Sequence, residues 1–329
     1  VTNPPLDGIR EELVTQVATT IGPESNLLNP TSISCQRVKI NSPILTNEEL
    51  SKMSNINVSG MKTKKVPILY EVKKGSQGLD QALNRVCAAV DQAIDDGYSF
   101  VILSDRGVNS SIVPIPSLLA TSGVHHHLIR HGVRTRVSIV VESGEPRDVS
   151  HFALLFGYGA SAVNAYLALS TLNEIVNYTG VDDLTYLDAE RAFVKAIHKG
   201  VVKVMSKMGI STLQSYRGAQ VFEAVGLNQQ FIDKYFTWTP SRIGGIGLEE
   251  IESESLSRHS FAYSDMNSSS VQKLKSGGQY QWRNDGEFHM WNPDSIASLQ
   301  YASKSNDISS FEDFSSQVNS ANRHKCTIR

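Results

Sequence analysis

Cysteine is nearly absent from this chain: Cys35, Cys87 and Cys326 are the only three among 329 residues. An odd count at wide spacing supports no disulfide framework and no clustered-thiolate site, and it favours a reducing compartment. Cytoplasm is the expectation, with an organelle stroma as its variant. An excess of one charge is also missing. Lys and Arg total 31 against 33 Asp and Glu, a formal net charge of -2, so no electrostatic pull toward nucleic acid or an anionic membrane is expected. No apolar run approaches the roughly 20 residues that a bilayer crossing needs. Neither a G-x-S-x-G elbow nor a Cys-His pairing is present. Nothing near Val1 has the charged, then apolar, then small-residue order of a signal segment, and a start at valine reads as a cut in a longer polypeptide.

What is present suits a globular chain: 40% hydrophobic and 19% charged residues. Leu79, Leu83, Val86, Ala89, Val90 and Ile94 recur at helical spacing, and Gly97 is a natural stop. Phe100-Val101-Ile102-Leu103 follows as a short apolar run, the signature of a strand buried on both faces. Pro116 opens a second helix reaching His131 and ending at Gly132, and Val137 to Val141 is the next strand. The earlier run Val66 to Tyr70 supplies one more strand, and Asp188 through Met208 a long helix with an uncertain break at Gly200. Strand and helix in alternation imply parallel strands with right-handed crossovers, the unit of barrels and doubly wound sheets. The expected architecture is α/β: an incomplete, TIM-barrel-like parallel β/α domain over residues 45–253, an irregular connecting arm over 1–44, and a mixed C-terminal extension over 254–329.

Several motifs invite chemistry. Gly157-Tyr158-Gly159-Ala160-Ser161-Ala162 fits the G-x-G-x-x-A dinucleotide pattern. Against that reading, Val149, Phe152, Ala153 and Phe156 fall at helical spacing behind Asp148, so the glycines end a helix instead of opening one. A helix C-terminus presents carbonyls, which repel phosphate. His125, His126, His127 and His131 suggest a metal, yet three adjacent histidines point to three faces and no third ligand accompanies them, so packing and hydrogen bonding are expected. Asp105 and Arg106 sit where a strand ends, a usual place for functional groups, with an ion pair that fixes the loop as the plainer reading. Glu142 and Glu145 follow the next strand and make a conceivable acid-base pair. Lys195, Lys199, Lys203 and Lys207 form a basic stripe that reads as a solvated face. Ser241 to Gly247 reads as a flexible turn or interface loop, and Trp238, Trp282 and Trp291 as buried anchors of the C-terminal region.

The order of segments carries a resemblance. Ser104-Asp105-Arg106-Gly107, Pro114-Ile115-Pro116-Ser117-Leu118-Leu119-Ala120, Val124 to Arg130 and Val140 to Glu145 are similar to the central domain of glutamate synthase. Gly22-Pro23-Glu24-Ser25-Asn26-Leu27-Leu28, with serine where that family leads one to expect glycine, and Val204 to Ser211, Tyr216 to Gln220 and Thr239 to Gly245 continue the series. The resemblance implies a parent oxidoreductase that moves the amide nitrogen of glutamine onto 2-oxoglutarate. An amidotransferase domain lies upstream of the central domain and an FMN domain with an iron-sulfur cluster lies downstream. Electrons come from an NAD(P)H-linked subunit or from ferredoxin. Catalytic, cofactor-binding and metal-binding residues would then lie outside this chain. The central domain is implied to couple the two reaction centres and to give wall to an ammonia tunnel, with Thr2 and Asn3 as tunnel-lining candidates. Two alternatives stand beside it: a non-catalytic scaffold or binding module that keeps the fold, and a nucleotide-dependent oxidoreductase using Gly157 and Gly159.

Overall fold

The computed structural model describes residues 11–324 apart from 27, 57, 59, 180–183 and 264–275. Thr2, Asn3 and Cys326 therefore lie outside the described residues. Two compact units divide the chain, Val1–Ser264 and Asp265–Arg329.

The first unit begins with a short helix α1 (Glu11–Val14) and an antiparallel pair, β1 (Thr19–Ile21) with β2 (Val38–Ile40). Helix α2 (Asn47–Ser54) is started by a capping box, in which Thr46 Oγ1 accepts from the Glu49 amide and Glu49 Oε2 accepts from the Thr46 amide. The apolar run expected as one strand is two. β3 (Thr63–Pro67) belongs to a parallel sheet, and β4 (Leu69–Glu71) leaves it to pair antiparallel with a later strand. Pro67 has no N–H to continue the ladder, and fully buried Ile68 is the joint, donating to Ser104 O and accepting from Ile115 N.

Helix α3 (Gly78–Asp95) buries Leu79, Ala82, Leu83, Val86, Val90 and Ala93 along one stripe and is followed by Gly97 at φ +77°, a left-handed position that glycine takes without steric cost. Then come β5 (Phe100–Ser104), β6 (Ile112–Pro114, the partner of β4), α4 (Ser117–Arg130) and β7 (Ser138–Glu142). Helix α5 (Val149–Gly157) leads into β8 (Ala162–Asn164), and α6 (Tyr166–Thr179) and α7 (Tyr186–Lys207) follow. Gly200 lies inside α7 and does not break it; a Cβ there would overlap Val149, so the glycine lets α5 and α7 approach closely.

The parallel sheet runs β3-β5-β7-β8, each new strand beside the one before it, and Ile44 adds a parallel bridge on Val163 beyond β8. A doubly wound sheet reverses direction from a central strand; this one keeps winding one way, which is barrel-like and incomplete. Alternate residues of the strands serve two cores. Val101, Leu103, Ile139 and Val141 face the cluster built with the helices. Phe100, Ile102 and Val140 face a second cluster completed by Ile21, Leu45, Leu50, Met53 and Met61, so the N-terminal arm and α2 cover the face that further strands would line in a closed barrel.

The unit ends with α8 (Leu213–Tyr216), β9 (Ala224–Leu227), α9 (Gln229–Tyr235), β10 (Ser241–Ile246) and α10 (Leu248–Ala262). Ser241 to Gly247 is thus largely a strand, parallel to β9, and not a loop. Helix α10 buries Glu252, Ser255 and His259 on one face. Trp238 is 74% exposed, with φ +67°, and does not anchor a core.

Among the described residues the second unit holds two α-helices, α11 (Pro293–Ser305) and α12 (Ile308–Ser320). Asn292 caps the first through its Oδ1 with Pro293 in the first turn, and Asn306 takes a left-handed conformation at its end. Trp291 rests against Phe314 with ring centres 6.2 Å apart, but it and Trp282 remain about half exposed, again short of the expected anchors. No helix among the described residues is long and apolar enough to cross a membrane.

Candidate functional site

Register decides which polar groups gather at the strand ends. Pro67, Ser104, Glu142 and Asn164 are aligned across the sheet. With a side-chain period of two, Ser104, Glu142 and Asn164 share the face of Ile102, Val140 and Ala162, and so form a polar layer above the inner cluster. Glu142 is buried and fully engaged. Lys65 Nζ lies 2.6 Å from Oε2, Ser104 Oγ donates to Oε2 at 2.5 Å, and Arg106 Nε donates to Oε1 at 2.5 Å. Burial alone would raise this carboxyl, but the three donors outweigh it and hold Glu142 below the ordinary carboxylate range. Asn164 Nδ2 donates to Leu45 O and Asn47 Oδ1, tying the layer to the arm.

Asp105 and Arg106 are not each other's partners, contrary to the simplest reading of their adjacency. Arg106 turns to Glu142 and lies 4.0 Å over the Tyr166 ring. Asp105 turns the other way and accepts from Ser143 Oγ at 2.6 Å, the Gly144 amide at 2.9 Å, and Tyr166. Its burial pushes the carboxyl up, partly offset by those donors. Glu145 does not face Glu142 as an acid-base pair: its Oε2 accepts from both the amide and the hydroxyl of Ser117, capping α4. Asp105, Glu142 and Glu145 thus each have internal partners, an arrangement that fixes the loops.

The glycine-rich turn after α5 follows the helix-ending reading. Gly159 has φ +108°, and a Cβ there would overlap the His125 ring; one on Gly157 would overlap Phe222. The carbonyls of the turn are occupied, Gly157 O by the Gly218 amide and Gly159 O by Arg134 Nη2. A carbonyl end already closed by a guanidinium offers a pyrophosphate no amide cradle.

The histidines separate as expected. Arg134 Nε donates to His125 Nδ1 at 2.9 Å, which fixes that nitrogen as an acceptor, and burial first, then the arginine charge, drives His125 down to about 2. His126 Nδ1 bonds the Ser122 carbonyl, His127 Nε2 meets Asp91 at 2.7 Å, and His131 Nδ1 bonds the His127 carbonyl. Among the described residues no group of three or more His, Cys, Asp or Glu is placed to hold a metal ion. The lysine stripe on α7 is solvent-exposed, with Lys199 3.4 Å from Glu12.

In front of the strand ends opens a cleft of about 1090 Å³. Its walls come from the loops after β5 and β7, from α5 and from α10. Sequence reasoning missed Lys65, Tyr166, Arg134 and α10. Lys65 within β3 and Tyr166, two residues past the end of β8 as Gly144 is past the end of β7, were the available signals; the contribution of α10 is too distant in sequence to leave one.

Residues 1–228 match the family described as the glutamate synthase central domain. The NADPH glutamate synthase large chain of Bacillus subtilis is 46% identical over 95% of this chain and 20% of its own length. The NADH glutamate synthase of Schizosaccharomyces pombe is 39% identical over 100% of this chain and 16% of its own. The chloroplastic ferredoxin-dependent glutamate synthase of Spinacia oleracea is 37% identical over 100% of this chain and 21% of its own. The chain therefore spans about a fifth of the length of these relatives. Among solved structures, the flavin-binding domain of baker's yeast flavocytochrome b2 aligns with 44% of this chain and 39% of that one, at 14% identity and a TM-score of 0.32, a likeness too slight to argue from.

Proposed function

From the premise that the chain belongs to the glutamate synthase central-domain family, we propose that it couples the glutaminase and FMN synthase centres of a parent enzyme and performs no turnover alone. The observation that carries this reading is the saturation of the strand-end carboxylates. Glu142, Asp105 and Glu145 are spent on Lys65, Arg106, Ser117, Ser143 and Gly144, so the barrel face that usually bears catalysis is used for rigidity. FMN, the iron-sulfur cluster and the electron donor belong, on this reading, to other domains and partners of the parent; relatives are named for NADPH, NADH and ferredoxin.

A coupling domain has a physical task. Ammonia released into water is protonated or lost, and the two half-reactions then run apart. A wall of small polar and apolar groups suffices to prevent that, and Thr2 and Asn3 are the residues proposed to line it. The test is Asn3→Trp, alone and with Thr2→Phe, in the parent enzyme. Glutamine hydrolysis is expected to persist while glutamate formed per glutamine hydrolysed falls, and synthesis from added ammonium is retained. An unchanged ratio in the double variant would remove these residues from the conduit.

A further inference from the structure

The cleft beside the saturated carboxylates is itself unsaturated in one respect. Arg147, on the loop between β7 and α5, and Arg258, on α10, both line it and are both exposed. Among the described residues neither is in an ion pair; Arg147 reaches only the Glu145 carbonyl, at 3.3 Å. Nearby His151 accepts through Nδ1 from the amides of Arg147 and Asp148, at 3.2 and 3.3 Å. That fixes the ring with its proton on Nε2, a donor left over on the cleft wall. The same cleft is lined by the apolar Leu118, Leu154 and Leu155 and by two carboxylates, Asp105 and Glu145, which accept from Ser143, Gly144 and Ser117.

The wall that carries Arg258 is held in place by polar anchors. Glu252 Oε1 accepts from the Leu79 amide at the start of α3, and His259 Nε2 bonds the carbonyls of Asn109 and Ile112 at 2.7 and 3.1 Å. Arg258 thus comes from α10 and Arg147 with His151 from the β7–α5 connection and α5, while Asp105 and Glu145 in the same cleft are held by their own internal donors.

We propose that this cleft is a binding site for a small organic anion, a carboxylate or phosphate on an apolar body, gripped by Arg147, Arg258 and His151 and seated on the leucines. Guanidinium pairs suit both headgroups, and the volume is of the order that small-molecule sites occupy. The site is separate from the coupling role and stands or falls without it.

Calorimetric titration of the 329-residue chain with phenylphosphate and with phenylacetate tests the proposal, with inorganic phosphate supplying charge alone and benzyl alcohol the body alone. At least one aromatic anion is expected to bind saturably at one site per chain, more tightly than either control, and the tighter of the two identifies the headgroup. Arg147→Ala with Arg258→Ala lowers that affinity about 100-fold, roughly tenfold per charge-assisted contact. Lys195→Ala with Lys199→Ala, on the exposed face of α7, leaves it unchanged. Circular dichroism verifies that the variants fold, as substitutions at exposed arginines should allow. The proposal is overturned if neither aromatic anion binds, if inorganic phosphate binds as well, if the arginine double variant retains affinity, or if only a longer acidic peptide is taken up.

Discussion

Two parallel strand pairs in this chain have opposite fates. In β5 and β7 every residue is buried, whereas in the β9–β10 pair five of the six β10 residues are exposed, and Val225 and Ile243 are 68% and 57% accessible. Both pairs are parallel, the second interrupted by register shifts between Ser241 and Ile243 and between Ile243 and Ile246, and both carry β-branched residues suited to a pleated surface. The larger difference is cover. The first pair has helices on one side and the N-terminal arm with α2 on the other; the second has only its own ladder and a few neighbours. Parallel pairing is therefore not what stabilises the fold. Two-sided burial is, and the strand-end polar layer owes its rigidity to the same buried frame.

The comparison can be broken in several ways. Hydrogen exchange gives the widest separation: amides of β5 and β7 should open only with global unfolding, and those of β10 at least ~1000-fold more readily. Equal protection would mean that β10 is as well supported as the core. Ile102→Ala should cost about 4 kcal/mol in urea denaturation, against about 0.5 kcal/mol for Ile243→Ala, because only the first leaves a cavity. Similar losses at the two positions would end the argument from cover. Glu142→Gln strips Lys65 and Arg106 of their shared counter-charge. The expected loss is about 2 kcal/mol, below the usual cost of breaking a buried pair because both cations are about half exposed and can turn to water.

The smallest effect is a pH slope. His125 stays neutral in the folded chain down to about 2, whereas the unfolded chain takes up that proton near its ordinary value of 6.5. The unfolded state thus binds more protons within this window, and stability falls as pH drops below about 6, by up to about 1.4 kcal/mol per pH unit from this group. His125→Gln should make the slope shallower by one proton; an unchanged slope would assign it elsewhere.

How much could be read from the sequence follows the same division. Helices α3 and α4, strands β5 and β7, and the helix-ending role of Gly157 were legible because helical spacing, short apolar runs and glycine stops are local signals. Pro67 concealed a strand junction inside a run that looks continuous. Ser241 to Gly247 resembled a loop because its pairing with Ala224–Leu227 is long-range and its glycines lower β propensity. Adjacent Asp105 and Arg106 suggested a mutual pair, but the chain turns at Arg106 and the partners come from β7, the loop after it and α6. The cleft was not legible, since α10 meets the strand ends only in three dimensions.

On the proposed function, these residues shape and connect but do not turn over substrate. The most direct measurement is glutamine-dependent glutamate synthesis, assayed on the isolated chain and on the parent polypeptide with its flavin and electron donor supplied. Synthesis by the parent and none by the isolated chain is the predicted result. Sustained turnover by the isolated chain would contradict it.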